Sequence, residues 1–592
     1  MQSLHDSTRL RLLLVFSILA FAGLWGRLFH LQALKHSKFE SLATSQHSVK
    51  VPIPAERGRI YDRKGEILAM SVPGCSVFAN PREIEDLAAT ASALAAVLDV
   101  DQDQMYRLFC NFSEKHFVWV RRLISPQQEA AVRAARLDGV YLREEPKRLF
   151  PNGTLAAHIL GFSGIDQGGL SGIEFALDSR LKGVDGSREE GRDGLARGIC
   201  SPAGDFSPAV NGNSVVLTID TNIQDFLETA LDRCAQQYSP LSVTGIVMDP
   251  NSGDILALSQ RPTFNPNSFA DYKPEDYRLR AVTDTFEPGS MFKPFVFAAA
   301  LEENLIRLDE NIFCGNGVYK ISKRILHDHH PYGDLTAEEC IVKSSNIGMA
   351  KIGQRLGPYK ACSFLSAFGF GRTTGVGFPS EAAGSLTPPQ KWTDYTVTSV
   401  PMGHEVSVTA VQIASAFCAV ANGGYAVRPR IVRGILAPDG TVLEKHIEPE
   451  IIRQVMSPET SKVMISRVLR KVVTEGTGRL ADIDEYEIAG KTGTAQKLVD
   501  GVYSHNKYVS SFIAAGPIQD PRLVVLIVVN EPSRGASLYG GTVAAPHCAE
   551  VLKATLDYMY IDERRRSRTV HMASTQAAPA RSGIQRTTHN AP

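Results

Sequence analysis

The chain has no excess of either charge: Lys+Arg and Asp+Glu both number 63 in 592 residues. That argues against a general electrostatic nucleic-acid binder, because such domains carry a strong basic excess. Cysteine is sparse and odd in number, nine in all, and no CxxC pair occurs. Neither a disulfide framework nor a zinc ribbon is indicated, and buried free thiols are expected. No internal repeat is present. With 43% apolar and 21% charged residues, the composition is that of globular domains, about two to four of them at this length. A disordered chain, a collagen and a polytopic membrane protein are excluded.

A single long apolar run departs from this average. Leu12–Gly26 carries no charge, and extending it to Leu34 gives about 34 Å of helix, enough for a hydrocarbon core of roughly 30 Å. Its main cost is Arg27, which can snorkel to the headgroups. Trp25 and Phe29 suit the interface. A cleaved signal peptide ending near Ala20-Phe21-Ala22 and a buried core helix are the competing readings; an uncleaved single-span anchor over 12–34, after a tail of residues 1–11, is preferred.

The remainder divides into three regions. Residues 50–205 mix strands and helices, with a strand over Val72–Ala79, a helix over Leu87–Leu98 and an exposed linker over Gly183–Gly204. Residues 210–560 form one large α+β domain. There, a helix is predicted over Asn222–Gln237. Val243–Met248 and Ile255–Ser259 read as a hairpin closed by Asp249–Asp254, and Tyr508–Ala515 and Leu523–Asn530 as a second strand pair. The tail 562–592, basic and then Ala/Ser/Thr/Pro-rich, reads as disordered.

Three short motifs carry chemistry. In Glu287-Pro288-Gly289-Ser290-Met291-Phe292-Lys293-Pro294, a proline tolerated only in the first helical turn places a helix start near Ser290. Ser290 would then sit at the positive helix end, with Lys293 one turn on and within reach of its hydroxyl. A desolvated lysine can serve as the base that a serine nucleophile needs. Ser344-Ser345-Asn346 offers a hydroxyl and an amide two residues apart. Lys491-Thr492-Gly493-Thr494 reads as an edge strand beside a cleft. Lys491 would be a fixed charge there, the hydroxyls of Thr492 and Thr494 would share a face, and Gly493 would leave room for a substrate backbone. Each motif alone is weak. Ser179–Lys182 and Ser504–Lys507 also fit SxxK, and Ser504-His505-Asn506 fits SxN. Their alternative readings are a helix cap, a polar helix start and a strand end. Their order, with separations of 54 and 147 residues, carries the joint reading.

In that order the motifs resemble the penicillin-binding serine acyl-transferase superfamily. Arg57–Ala69, Arg148–Pro151, Ala157–Gly161 and Gly169–Glu174 resemble the pedestal motifs of its class B. Val77–Pro81, Asp284–Gly289 and Tyr539–Pro546 are most similar to the division-specific, FtsI-type branch. Met291-Phe292 and Met402-Gly403-His404-Glu405 depart from the usual pattern. The class A β-lactamase Glu-x-x-Leu-Asn loop is missing, so efficient deacylation by water is not expected.

The resemblance implies an α+β transpeptidase domain, an antiparallel sheet flanked by helices, on an elongated pedestal. It implies a DD-transpeptidase in the cytoplasmic (inner) membrane with its catalytic domain on the outer side. Ser290 would attack the penultimate D-Ala carbonyl of a peptidoglycan stem peptide, and Lys293 would take its proton. The N–H groups of Ser290 and Thr494 would hold the oxyanion, and Ser344 would pass the proton to the leaving D-Ala. Asn346 would bind the donor amide, and Lys491, Thr492 and Thr494 its carboxylate region. An amine of a second stem would resolve the acyl-enzyme. β-Lactams would acylate Ser290; a membrane glycosyltransferase and division proteins are the implied partners. No cofactor or metal is expected: His327-Asp328-His329-His330 looks like a ligand cluster, but Pro331–Thr336 after it reads as a turn into a helix start, and the family has a similar loop without metal. The alternatives are an elongation-specific transpeptidase, a carboxypeptidase, and a scaffold or sensor. A sensor would need a cytoplasmic signalling domain, for which the 11 residues before the span are too few.

Overall fold

The computed structural model describes residues 2–39, 48–192, 198–199, 206–322, 324–499 and 502–576. The chain packs as two units, residues 1–57 with 182–212 and residues 58–181 with 213–592. The first unit opens with a helix, Gln2–Phe29, continued by a π-turn over His30–Leu34. Leu10–Leu34, with mean hydropathy 2.0, is long and apolar enough to cross a membrane. Also in this unit, Ser48–Ile53 pairs antiparallel with Gly186–Arg192. The expected linker over Gly183–Gly204 is therefore partly a strand; 193–197 and 200–204 lie outside the described residues. Its sequence, GSREEGR, has no apolar alternation to announce it.

In the second unit, Ile67–Ala79 is the long central strand of the pedestal. It pairs antiparallel with Val118–Ile124 on one side and Val140–Leu149 on the other. The helix Leu87–Leu98 starts and stops as its residues dictate: Asp86 accepts from the N–H groups of Ala88 and Ala89, and Asp99 turns left-handed at its end. Leu94, Leu98, Phe109 and Val132 cover Val77 and Ala79 on one sheet face. Strand pairing also links residues on the two sides of the expected boundary between 205 and 210. Ile60–Tyr61 pairs in parallel with Ser214–Leu217, which pairs onward with Val432–Leu436, so one seven-stranded sheet joins both regions.

The large C-terminal region is built on a five-stranded antiparallel sheet. Its elements are α1 (Thr221–Tyr238), β1 (Ser242–Met248), β2 (Ile255–Arg261), α2 (Lys293–Glu302), α3 (Asn346–Ala367), β3 (Ala489–Val499), β4 (Val502–Gly516), β5 (Leu523–Asn530) and α4 (Ala545–Gln576). The strand order is β2-β1-β5-β4-β3. Both expected strand pairs form, with Met248 opposite Ile255 and Ala515 opposite Val524. The sheet is covered on both faces, which explains uninterrupted apolar strands such as LVVLIVVN. Ile223, Leu227 and Leu231 of α1 with Val551 and Leu552 of α4 pack on one face. Phe292, Phe295, Ala414 and Phe417 pack on the other. Past Asp562, α4 continues as helix to Gln576, and 577–592 lie outside the described residues. Of the eight cysteines described, all free, six are buried.

Candidate active site

The serine helix begins later than expected. Proline at 294 has no N–H to give the Ser290 carbonyl, so that carbonyl accepts instead from Lys293 three residues on. Gly289–Phe292 therefore tightens into a 3₁₀ turn, and α2 starts at Lys293. Ser290 stays in the first turn, half-buried, where the helix leaves its N–H unused. Gly289 takes φ +54°, and its N–H donates to the Gly403 carbonyl at 3.1 Å.

Lys293 is wholly buried. Its Nζ donates to the Ser344 carbonyl at 2.7 Å, to Asn346 Oδ1 at 2.9 Å and to Ser344 Oγ at 3.3 Å. Among the described residues it makes no hydrogen bond to Ser290; its three donors are spent on the second motif. Burial pushes its pKa down to about 7, against the opposing pull of the Asp328 charge. Lys491, equally buried, donates to Ser344 Oγ at 3.1 Å and to Thr492 O and Oγ1 at 3.1 and 3.2 Å. Burial, then the neighbouring Lys293, lowers its pKa well below the ordinary lysine value.

Ser344 sits in left-handed backbone, φ +57°, one residue before the α3 cap. That cap rests on a residue that the sequence showed only as part of the His327–His330 run. Asp328 accepts from Ser345 Oγ at 2.6 Å and from the N–H groups of Asn346 and Ile347 at 2.5 and 3.0 Å. The preceding His327 carbonyl accepts from Asn346 Nδ2 at 3.1 Å. The His327–His330 run thus supplies an anchor for the second motif. The signal available beforehand was only a lone acid among histidines. Among the described residues no three metal-binding side chains gather.

The third motif lies on β3, the sheet edge, as its sequence predicts. Thr492 Oγ1 is shared with Thr477 Oγ1 at 2.7 Å, and Thr494 Oγ1 accepts from Gly540 N at 3.0 Å. Gly493 meets a packing need within the protein itself. A Cβ there would lie 2.3 Å from Ser511 Oγ, 2.7 Å from Met291 Cγ and 3.1 Å from the Pro288 carbonyl. The missing side chain lets the edge strand close onto the serine turn itself. The hydrogen bonds gather Lys293, Ser344, Asn346, Lys491 and Thr492 into one network, and the Gly493–Met291 approach brings the Ser290 turn against it. Thr494 lies next along the same strand.

The same pair of domains recurs in known proteins. The profile described as penicillin binding protein transpeptidase domain matches residues 243–553, and that described as penicillin-binding protein dimerisation domain matches 52–217. Stage V sporulation protein D of Bacillus subtilis is 35% identical over 94% of this chain and 86% of its own length. Peptidoglycan D,D-transpeptidase FtsI of Escherichia coli K12 is 30% identical over 94% and 92%. Penicillin binding protein 3 of Mycobacterium tuberculosis, solved with aztreonam, superposes with a TM-score of 0.67 at 28% identity, covering 86% of this chain and 98% of that one. The chain belongs to the class B penicillin-binding proteins, peptidoglycan D,D-transpeptidases built on a dimerisation domain and a serine acyl-transferase domain.

Proposed function

We propose that this transpeptidase cross-links peptidoglycan stem peptides through an acyl-enzyme on Ser290. The observation that carries the reading is the buried Lys293, with its pKa near neutrality, bonded to Ser344 and Asn346 one turn from a first-turn serine. As an ammonium Lys293 fills three acceptors; as a neutral amine it has two N–H donors and a lone pair. The longest of its bonds, to Ser344 Oγ at 3.3 Å, is the one to yield. The lone pair then takes the Ser290 proton while Oγ attacks the penultimate D-Ala carbonyl.

Charge developing on that oxygen is met by the N–H groups of Ser290 and Thr494. The C–N bond to the terminal D-Ala breaks, and its nitrogen leaves with a proton relayed through Ser344. The amine of a second stem attacks the ester, the C–Oγ bond breaks, and Ser290 regains its proton. Asn346 positions the donor amide; Lys491, Thr492 and Thr494 hold the carboxylate region. A β-lactam enters the same path and stops at the ester.

The finer biological reading is septal cell-wall synthesis. The protein would be held by Leu10–Leu34 as a single span, with the catalytic domain outside the cytoplasmic membrane and a membrane glycosyltransferase as partner. The FtsI-type stretches and the 30% identity to a protein named FtsI support it. Two experiments test the whole. Fluorescent penicillin should label the wild-type chain and leave Ser290→Ala unlabelled; labelling of that variant removes the nucleophile assignment. A tagged copy should concentrate at the division site; uniform placement along the cell wall would favour elongation.

A further inference from the structure

Glu287 lies three residues before Ser290, and its carboxylate is gripped from two other segments. Oε1 accepts from the Glu405 N–H at 3.0 Å. Oε2 accepts from His404 Nδ1 at 2.8 Å, and the Tyr503 hydroxyl reaches both oxygens at 3.2 and 3.1 Å. His404 and Glu405 belong to a turn that already supports the serine turn: Gly403 O receives the Gly289 N–H, and a Cβ on Gly403 would strike Gly289 O at 2.1 Å. Phe286 and Val408 exchange both backbone hydrogen bonds beside it. Tyr503 stands on β4, opposite Leu498 of β3, the strand that carries Lys491 and Thr494. Glu405 holds a left-handed φ of +57°, uncommon for a non-glycine residue, and its own carboxylate accepts from Thr396 Oγ1 at 2.8 Å.

Burial alone would raise the Glu287 carboxyl. The hydrogen bonds from His404, the Glu405 N–H and Tyr503 outweigh it and hold the group ionised, below the usual carboxylate range. An ionised carboxylate only accepts, so His404 must donate from Nδ1. One anion thus ties three pieces of chain together: the serine turn, the 400–405 turn and the hairpin of β3 and β4. Two bonds, one from a ring N–H and one from a phenol, are charge-assisted side-chain contacts of the stronger kind.

We infer that Glu287 and His404 are positioning residues for acylation, fixing the Pro288–Gly289–Ser290 backbone so that the serine hydroxyl and its N–H face the Lys491–Thr494 strand. They touch no reacting atom and act through the serine turn. The inference rests on the acyl-enzyme reading above. Displacing a nucleophile by an ångström costs about 100-fold in rate while leaving binding largely intact. The pair should therefore govern the acylation step and leave the preceding encounter unchanged.

The experiment is stopped-flow acylation of the full-length detergent-solubilised protein by a fluorescent penicillin, separating the first-order acylation constant from the encounter dissociation constant. Glu287→Ala and His404→Ala should each lower the acylation constant by about 10-fold or more, with the encounter constant changed less than about twofold. His404→Asn, whose amide N–H replaces Nδ1–H, should recover most of the rate, and Glu287→Ala/His404→Ala should be no slower than either single change. Glu287→Gln, which keeps the shape, covers the case in which the alanine variant does not fold. Wild-type acylation constants in Glu287→Ala or Glu287→Gln, a loss confined to the encounter constant, or additive losses in the double variant would overturn the inference. Wild-type protein that is not labelled, or labelling that persists in Ser290→Ala, would instead sink the acyl-enzyme reading.

Discussion

Lys293 and Lys491 both donate to the one hydroxyl of Ser344, at 3.3 and 3.1 Å, and both are wholly buried. Two ammonium groups crowded on one oxygen without a carboxylate between them are costly, so the site favours losing one proton. Asp328, ahead of Cys340, opposes that loss at Lys293.

The first prediction is a pH profile. With Lys293 lowered to about 7, the neutral amine is the minor form below that pH and the major form above it. Acylation of Ser290 by a penicillin should therefore rise with pH, about tenfold per unit well below 7, and level off above it. The same shift sets a stability trend. Unfolded lysine titrates near 10.4, so between about 7 and 10 the unfolded chain binds more protons and wild-type stability should rise with pH. Lys293→Met should abolish labelling and flatten that rise. An acylation rate that falls across pH 6 to 8 would contradict the assignment of Lys293 as base.

The second concerns Asp328. Its carboxylate holds Ser345 and the first two N–H groups of α3, and so fixes the loop that presents Ser344 and Asn346. Asp328→Asn keeps the volume but turns a triple acceptor into a mixed group that presents its own donor to the Ser345 hydroxyl or a backbone N–H. A stability loss of about 1–3 kcal/mol is expected from the unsatisfied donors. Acylation should slow by more than tenfold, as geometry at Ser344 loosens. Thermal melts and labelling rates measure the two; a variant with unchanged labelling would show that the loop holds its place without the anchor.

What the residues announced and what they hid follow from one physical distinction. Local rules were legible: the capped helix Leu87–Leu98, the hairpin around Asp249–Asp254 and the edge strand at Lys491 depend on near neighbours and period. Contacts made across the chain were not. Asp328 meets Ser345 from 17 positions away, Glu287 meets His404 from 117, and no spacing rule covers either. Gly186–Arg192 is a strand because Ser48–Ile53 lies beside it, although its own residues are charged. The start of α2 is the intermediate case. Pro294 correctly marked a helix beginning, but deciding between Ser290 and Lys293 required knowing which carbonyl goes without its i+4 donor.

The third prediction separates packing from substrate clearance at Gly493. Its added Cβ would come within 2.7 Å of Met291, next to Ser290, and 2.3 Å of Ser511 Oγ. Gly493→Ala should cost about 1–3 kcal/mol through overpacking and slow acylation as β3 is pushed off the serine turn. Gly168→Ala, where nothing lies within 4 Å of the new atom, is the control and should leave labelling as it is. A Gly493→Ala protein with wild-type melting temperature and reduced labelling would return the glycine to a purely substrate-facing role.

The last concerns the pedestal. Arg148 Nε donates to Glu174 Oε1 at 2.6 Å, with the two side chains 4% and 0% exposed. Each belongs to a stretch that marked the class B pedestal in the sequence, and neither bonds to the Lys293–Ser344–Lys491 network. A buried pair is held mainly by what its breakage would strand. Glu174→Ala takes this carboxylate away from a buried guanidinium that cannot lose its proton, at a cost of about 3–5 kcal/mol. Replacing both residues by apolar ones of similar size, Arg148→Met with Glu174→Leu, removes both charges and should restore part of the melting temperature. Labelling of Ser290 at temperatures where each variant is folded should stay at the wild-type rate. If the double replacement melts as low as Glu174→Ala, the pair is contributing shape or further hydrogen bonds that apolar side chains cannot supply; if Glu174→Ala melts like wild type, the ion pair does not support the pedestal at all.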